Sequence, residues 1–402
     1  MTEPPLAGMT LVEVSAFVAA PLGGMTLAQL GAEVIRIDPL GGNIDYRRWP
    51  LAPGGTSLYW ASLNKGKKSV ALALDKPEGR EIAQALIRRE RPGGANVLTN
   101  LPTRGWLDYD TLRTGCPGLV MARLLGNPDG TSALDYTINP ASGFPLATGT
   151  GGAPVNHVLP AWDVAAGLYL CTGLLAADRV RARTGKGQQI TLALSDVMLA
   201  TVASLGYVAD VQVNGTVRPP LGNDLYGAFG RDFATRDGRR VMVVAISNRQ
   251  WRAIGKAIGL AEKLDMIGPM LGVDLGTEGG RFEARDAIAA VLAPWIRARD
   301  LTEVMGVLNA GGVLAGAYQD FGQLVHEDPR CSAANPMFGT VAQAGVGEVL
   351  TPASPLCFGL SERLPPLPAP AMGEDTERVL TGQLGMSGAD IARLHDKGVI
   401  AA

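Results

Sequence analysis

With 402 residues the chain is longer than one compact core normally runs and has room for two or three domains, two being the working count. Charged residues make up 18%, with 36 Lys+Arg set against 38 Asp+Glu, and 47% of the chain is hydrophobic, which excludes a disordered polymer. A net charge of −2 supplies no diffuse field for a polyanion, so nucleic acid is not an expected partner and any phosphate must be met by a few placed side chains.

Taken in chain order, the first half alternates short apolar strands with helical patterns, the mark of βαβ units around a largely parallel sheet. Thr10 to Val14 reads as a strand, Ala20-Pro21-Leu22-Gly23-Gly24 as a turn, Met25 to Leu30 as a short helix stopped by Gly31, and Val34 to Ile37 as the next strand. A second unit follows, with a strand at Ser69 to Leu74, a helix at Pro77 to Arg89 and a strand at Ala95 to Thr99. Gly118 to Leu125 is a further strand. A buried helix from about Trp162 to Arg181 then leads through Thr184-Gly185 to a strand at Gln189 to Leu194. Its most apolar window, Val164 to Ala177, is too short to span a bilayer, so no membrane is expected. The opening Met-Thr-Glu-Pro-Pro lacks a basic region before an apolar run, and Glu13 interrupts the first apolar segment, which does not read as a signal peptide.

Between Val211 and Phe233 the chain turns to Asn, Gly, Pro and aromatic residues, and Arg218-Pro219-Pro220 reads as a linker into a second unit. That unit is expected to hold a strand at Arg240 to Ile246 and helices at Asn248 to Ile258, Phe282 to Arg297 and Leu301 to Leu308. After Val313 to Ala315 the pattern becomes irregular, Leu364 to Pro370 reads as an extended crossing, and helices at Asp375 to Leu384 and Gly388 to Asp396 close the chain. No internal repeat is found.

The candidate chemistry narrows by elimination. Cys116, Cys171, Cys331 and Cys357 are scattered without a C-x-x-C pair, which fits a reducing cytoplasm, and His157, His326 and His395 form no ligand cluster, so no metal is expected. Gly149-Thr150-Gly151-Gly152-Ala153-Pro154 begins like a dinucleotide fingerprint but has Pro154 in place of the last glycine. Asn64 to Ser69 ends like a P-loop, yet Ala61 stands where its first glycine belongs. There is no G-x-S-x-G elbow. A carboxylate remains: Asp163 stands at the head of the most buried helix, where free backbone N–H groups and the dipole meet it. An aspartate there is most often only an N-cap. Lys65, Lys67, Lys68 and Arg104 read by default as solvated surface, and Trp162, Tyr226 and Phe229 as packing residues.

Several segments read together resemble the class III CoA-transferase family over nearly the whole chain. They are Val18 to Pro21, Leu30 to Asp38, Asn64 to Ser69, Asn100, Asp163 to Gly167, Arg183 to Gln188, Tyr226 to Phe229 with Asp237-Gly238, and Ala369 to Glu374. The resemblance implies an α/β fold, with a Rossmann-like parallel-sheet large domain built from residues 1–205 and 331–402, a smaller α+β domain at 206–330, and an interlocked homodimer. It implies that Asp163 is a covalent nucleophile passing CoA through an aspartyl thioester, with no cofactor beyond the CoA of the substrate. CoA contacts carry over to Phe17, Val18, Lys67, Asn100 and Arg104, the cations suiting phosphate. Leu40 replaces an arginine that relatives can carry near the adenosine phosphate. Trp162 replaces a glycine and is expected to help close the acyl pocket. Leu134 stands where racemases of the family carry a histidine, which removes a racemase base. Within the family, Ala20 to Leu30, Asn156 to Asp163 and Leu225 to Phe233 most resemble members that move CoA between the two carboxyls of one C5 dicarboxylate. Intermolecular transfer between dicarboxylic acids and a silent acyl-CoA-binding protein are the alternatives.

Overall fold

The computed structural model describes residues 3–89 and 94–401. Its centre is a six-stranded sheet of β1 (Thr10–Val14), β2 (Glu33–Pro39), β3 (Lys68–Leu72), β4 (Asn96–Thr99), β5 (Val120–Leu125) and β6 (Gln189–Ala193). The strand order is β3-β2-β1-β4-β5-β6, and every neighbouring pair is parallel. This is the Rossmann-like order that the α/β reading called for, and it places a topological switch point beside β1, where the chain runs to β2 on one side and β4 on the other. All five residues of β1 are buried, Glu13 among them, because a parallel sheet is covered on both faces.

In chain order the helices between these strands are α1 (Ala19–Ala28), α2 (Leu58–Leu63), α3 (Pro77–Arg88) and the short α4 (Tyr109–Arg113), α5 (Asp135–Ile138) and α6 (Phe144–Thr148), followed by the 24-residue α7 (Ala161–Thr184). Ala20 to Gly24, expected as a turn, lies inside α1. The glycines serve close packing: a Cβ on Gly24 would fall 1.7 Å from a Glu13 carboxylate oxygen, and one on Gly167 would fall 2.7 Å from the carbonyl of Ala19 on the facing helix. In α7 the buried residues Trp162, Ala166, Leu170, Leu174, Ala177 and Arg181 recur every three or four positions and form one stripe toward the sheet.

Two compact units divide the chain: Met1–Ser142, Val158–Asp210 and Pro329–Ala402 form the first, and Gly143–His157 with Val211–Asp328 the second. Residues 143–157, expected in the first domain, belong instead to the second, because Leu221 and Gly222 of the linker donate their N–H groups to the carbonyls of Ala147 and Gly149. The C-terminal segment returns to the first unit. Asp375 accepts the N–H of Ser69 at 2.8 Å, Thr376 accepts that of Ala71 at 3.0 Å, and Ile400 forms an antiparallel bridge with Leu72, so the exposed edge of β3 is covered.

The second unit carries an antiparallel sheet of β7 (Phe229–Ala234), β8 (Arg240–Ala245) and β9 (Leu314–Ala317) over a core that includes Phe229, Trp251, Ile254, Ile288 and Leu292. It is α+β in character, as expected. Two sequence expectations fail in detail. The helix read over Phe282 to Arg297 is two helices, Glu278–Glu283 and Arg285–Arg297, joined through Ala284. The stretch after Ala315, read as irregular, contains the last two residues of β9, the helix Phe321–Glu327 and a hairpin of Phe338–Gln343 with Gly347–Pro352. Those hairpin strands are mostly half-buried or exposed, so they lack the apolar alternation that marks a strand in sequence. Among the described residues no single helix is long and apolar enough to cross a membrane. Leu194–Ser204 and Tyr207–Asn214 reach that length and composition only together, across a 65° bend.

Candidate active site

A cavity of about 600 Å³ opens at the carboxyl ends of β1, β4, β5 and β6, where this topology leaves a crevice. Ala16, Phe17 and Val18 reach it from β1, Asn100 and Leu101 from β4, Leu124 to Gly126 from β5 and Leu194 from β6. Asn43, Ile44, Arg48 and Tyr59 line a second side, and Ala133 to Tyr136 with Asp163 a third.

The first βα turn is rigid by construction. Asn100 spends its amide on the backbone of Ala16, accepting the N–H at 2.9 Å and donating to the carbonyl at 2.7 Å. Asp45 accepts the N–H of Phe17 at 3.1 Å. Between these anchors Phe17 holds φ at +66°, the left-handed region that a side chain ordinarily avoids at a cost of about 1–3 kcal/mol. Among the described residues it is the only non-glycine in that region.

Beneath the turn lies a closed ionic network. Arg36 pairs with Asp38 at 2.8 Å, with Asp45 at 3.2 Å and with Glu13 at 3.4 Å, all four side chains being essentially inaccessible to water. Lys67 completes it, its ammonium 2.8 Å from Glu13, 2.8 Å from the side-chain amide oxygen of Asn64 and 2.9 Å from the backbone carbonyl of Pro21. Burial pushes this lysine down to about 8 against the pull of Glu13. Lys67 is therefore not the solvated surface cation that its sequence context suggests. It is buried with all its donors committed to the protein, and it does not line the cavity.

At the head of α7 the preceding residue is Pro160, which has no side chain able to cap. The first-turn N–H groups of Trp162 and Asp163 go instead to one oxygen of Asp135, at 2.8 and 3.3 Å. This overturns the N-cap role for Asp163: the capping carboxylate is Asp135, which is 2% exposed. Asp163 faces the cavity, and among the described residues its carboxylate has no hydrogen-bond partner. Burial first, and then the charge of Asp135, push it up to about 7, while Arg48 pulls it down.

Of the expected site residues, Phe17, Val18, Asn100 and Asp163 come together in the cavity. Lys67 does not, and neither does Arg104, an exposed residue at the start of a short 3₁₀ turn. Trp162, expected to close the pocket, is 5% exposed with its indole N–H donated to Asn139 at 3.2 Å, and it is absent from the lining. Leu40 is absent from it as well. Sequence reasoning missed Arg48 and Tyr59 altogether. Arg48 lies 5.0 Å from the ring of Tyr59 and 5.6 Å from that of Phe17, contacts that no spacing pattern announces.

A Rossmann-ordered parallel sheet with a cavity at the carboxyl ends of its strands places the chain among α/β enzymes that bind ligands there, and the sequence comparison gives the family. The chain belongs to CoA-transferase family III, whose model matches residues 6–376, and it is an enzyme acting on CoA. It is 50% identical to the 2-methylfumaryl-CoA isomerase of Chloroflexus aurantiacus, over 98% of both chains. It is 28% identical, again over 98% of each chain, to the succinyl-CoA–D-citramalate CoA-transferase of the same organism. In fold it is similar to a CaiB/BaiF family protein from Brucella suis, with a TM-score of 0.75 at 24% identity over 95% of this chain and all of that one.

Proposed function

We propose that this enzyme isomerises 2-methylfumaryl-CoA (mesaconyl-CoA), moving CoA between the C1 and C4 carboxyls through a covalent intermediate on Asp163. The observation that carries the reading is the Asp163 carboxylate itself: half-buried, without a hydrogen-bond partner among the described residues, facing the cavity, and pushed up to about 7 so that it is both basic and substantially ionised at neutral pH. An acid in that state is a better nucleophile than one at its ordinary value.

In the first half-reaction an Asp163 oxygen attacks the thioester carbonyl, the C–S bond breaks, and a mixed anhydride and CoA thiolate result. The thiolate then attacks the aspartyl carbonyl, releasing the diacid and leaving aspartyl-CoA. In the second half-reaction the other carboxylate of the diacid attacks aspartyl-CoA, and the freed thiolate attacks the substrate carbonyl of the new anhydride. Asp163 is regenerated, and every bond broken is balanced by one formed without a group beyond the CoA of the substrate. Phe17, Val18 and Asn100 are the proposed neighbours of the CoA arm, through the cavity they share with Asp163. The 50% identity to an isomerase favours intramolecular transfer. The 28% relative, named for a succinyl-CoA donor, supports intermolecular transfer as the second reading.

Mesaconyl-C1-CoA supplied alone separates the two readings. Conversion to the C4 isomer without any added acid is expected, and an absolute need for an acceptor acid would establish the second reading instead. Asp163→Ala is expected to lose about 10⁴-fold or more in turnover and to yield no hydroxylamine-trappable aspartyl adduct. We also infer a homodimer, because Leu168 and Tyr169 on α7, Leu199 on the helix Leu194–Ser204 and Leu205 at the end of that helix stand about half exposed or more. Light scattering should give twice the chain mass of 41.9 kDa.

A further inference from the structure

The polar side chains around Asp163 are few, and most are already spent. Asn100 has both ends of its amide on Ala16, and Asn43 donates to Asp38 at 2.8 Å and to the carbonyl of Ser15 at 3.3 Å. Asp135 caps α7 and, like Asp163, repels an anion. Among the residues lining the cavity, Arg48 is the only cation. Among the described residues it pairs with no carboxylate. Its guanidinium lies against the rings of Tyr59 and Phe17, so its position is set by packing while donors remain for a ligand. The contrast with Arg36, whose donors are consumed by Asp38, Asp45, Asn64 and the Ser15 carbonyl, marks Arg48 as the arginine kept for an outside partner.

We propose that Arg48 is the specificity residue for the diacid, holding whichever of its two carboxylates is not reacting with Asp163. This assignment rests on the isomerase reading. A thioester of a dicarboxylic acid brings one carboxylate that never touches the nucleophile in the first half-reaction, and burying it beside Asp135 and Asp163 without a cation would be prohibitive. Planar, always charged and forked, a guanidinium meets that carboxylate bidentately. After the diacid is released, end-over-end rotation of a trans-butenedioate exchanges its carboxylates, so the same arginine receives C1 while C4 turns to aspartyl-CoA. One cation opposite one nucleophile serves both half-reactions, and the ion pair retains the diacid in the site between them.

Tiglyl-CoA tests this directly, because it keeps the thioester, double bond and methyl branch of mesaconyl-C1-CoA and replaces only the remote carboxylate by a methyl group. Hydroxylamine trapping of the Asp163 adduct with both thioesters, above pH 8.5 where the aspartate is ionised with or without the arginine, should show wild type preferring the diacid thioester by about 10²-fold or more. In Arg48→Met that preference should collapse to within a few-fold, through loss on the diacid thioester alone, and Arg48→Lys should recover part of it. If Arg48→Met isomerised mesaconyl-C1-CoA normally, or lost both thioesters equally, the assignment would be wrong while the isomerase reading stood. A wild-type enzyme that trapped adducts but required an acceptor acid would instead overturn the isomerase reading, and the two-carboxylate role with it.

Discussion

Two groups of charges lie within the first unit and are built in opposite ways. Under the first βα turn, Glu13, Arg36, Asp38, Asp45 and Lys67 are interlocked, each charge answered by another within 3.4 Å. In the cavity above it, among the described residues, the Asp163 carboxylate has no hydrogen-bond partner and Arg48 has no paired carboxylate. The closed group is shut off from water, whereas Asp163 and Arg48 are half-buried and remain reachable from the cavity. The closed network fixes a backbone conformation, holding Phe17 in the left-handed region through Asp45. The open pair is left with unmet electrostatic demand, which a substrate can satisfy. Compensated charge shapes the site, and uncompensated charge carries its chemistry.

The sharpest way to break that contrast is to open the closed network. Arg36→Met strands three carboxylates without their guanidinium and is expected to cost about 3–5 kcal/mol of stability, read as a lower denaturation midpoint. A loss below 1 kcal/mol would mean that the network does not hold the turn.

The open site should respond in the opposite sense. Asp163 is raised from 3.8 to about 7, so the folded state binds more protons than the unfolded chain between those values, and stability falls as pH climbs through that window. Asp163→Asn is therefore expected to stabilise the protein above pH 7, by at most about 4 kcal/mol, while abolishing turnover. Because the ionised form is the nucleophile, kcat/KM should rise with pH and level off above a midpoint near 7. A flat profile between pH 5 and 8 would contradict the role of Asp163.

The smallest effect concerns Asp135, which belongs to both kinds of group. Its carboxylate caps α7 and also raises Asp163. Asp135→Asn keeps an oxygen for the cap but removes the charge, so the acidic limb of the pH profile should move to lower pH with stability little changed. Asp135→Ala loses the cap as well, at about 1 kcal/mol. An unmoved profile in Asp135→Asn would leave burial alone to account for the basicity of Asp163.

Much of the parallel sheet was legible because its strands are short, mostly apolar runs, as at Thr10–Val14 and Val120–Leu125, even with Glu13 and Arg123 inside them. The helix Asn248–Ile258 was equally readable, since Ser247 and Gln250 form a capping box and Gly259 ends it. Gly23 and Gly24 were misread because glycine marks both turns and close approaches, and only the facing carbonyl and carboxylate decide between them. The hairpin after residue 337 went unseen for want of a buried face.

The same division runs through the site. By itself the sequence determined the βαβ succession and family membership, and it singled out Asp163 at the head of α7, because local periodicity and motif order are properties of neighbouring residues. Only the tertiary structure decided which charges are free. Lys67 and Arg48 are alike in sequence, both basic and near aromatic or glycine residues, yet one is locked against Glu13 and the other opens onto the cavity. That outcome depends on pairings such as Glu13 with Lys67, which are 54 positions apart and become neighbours only when the sheet forms.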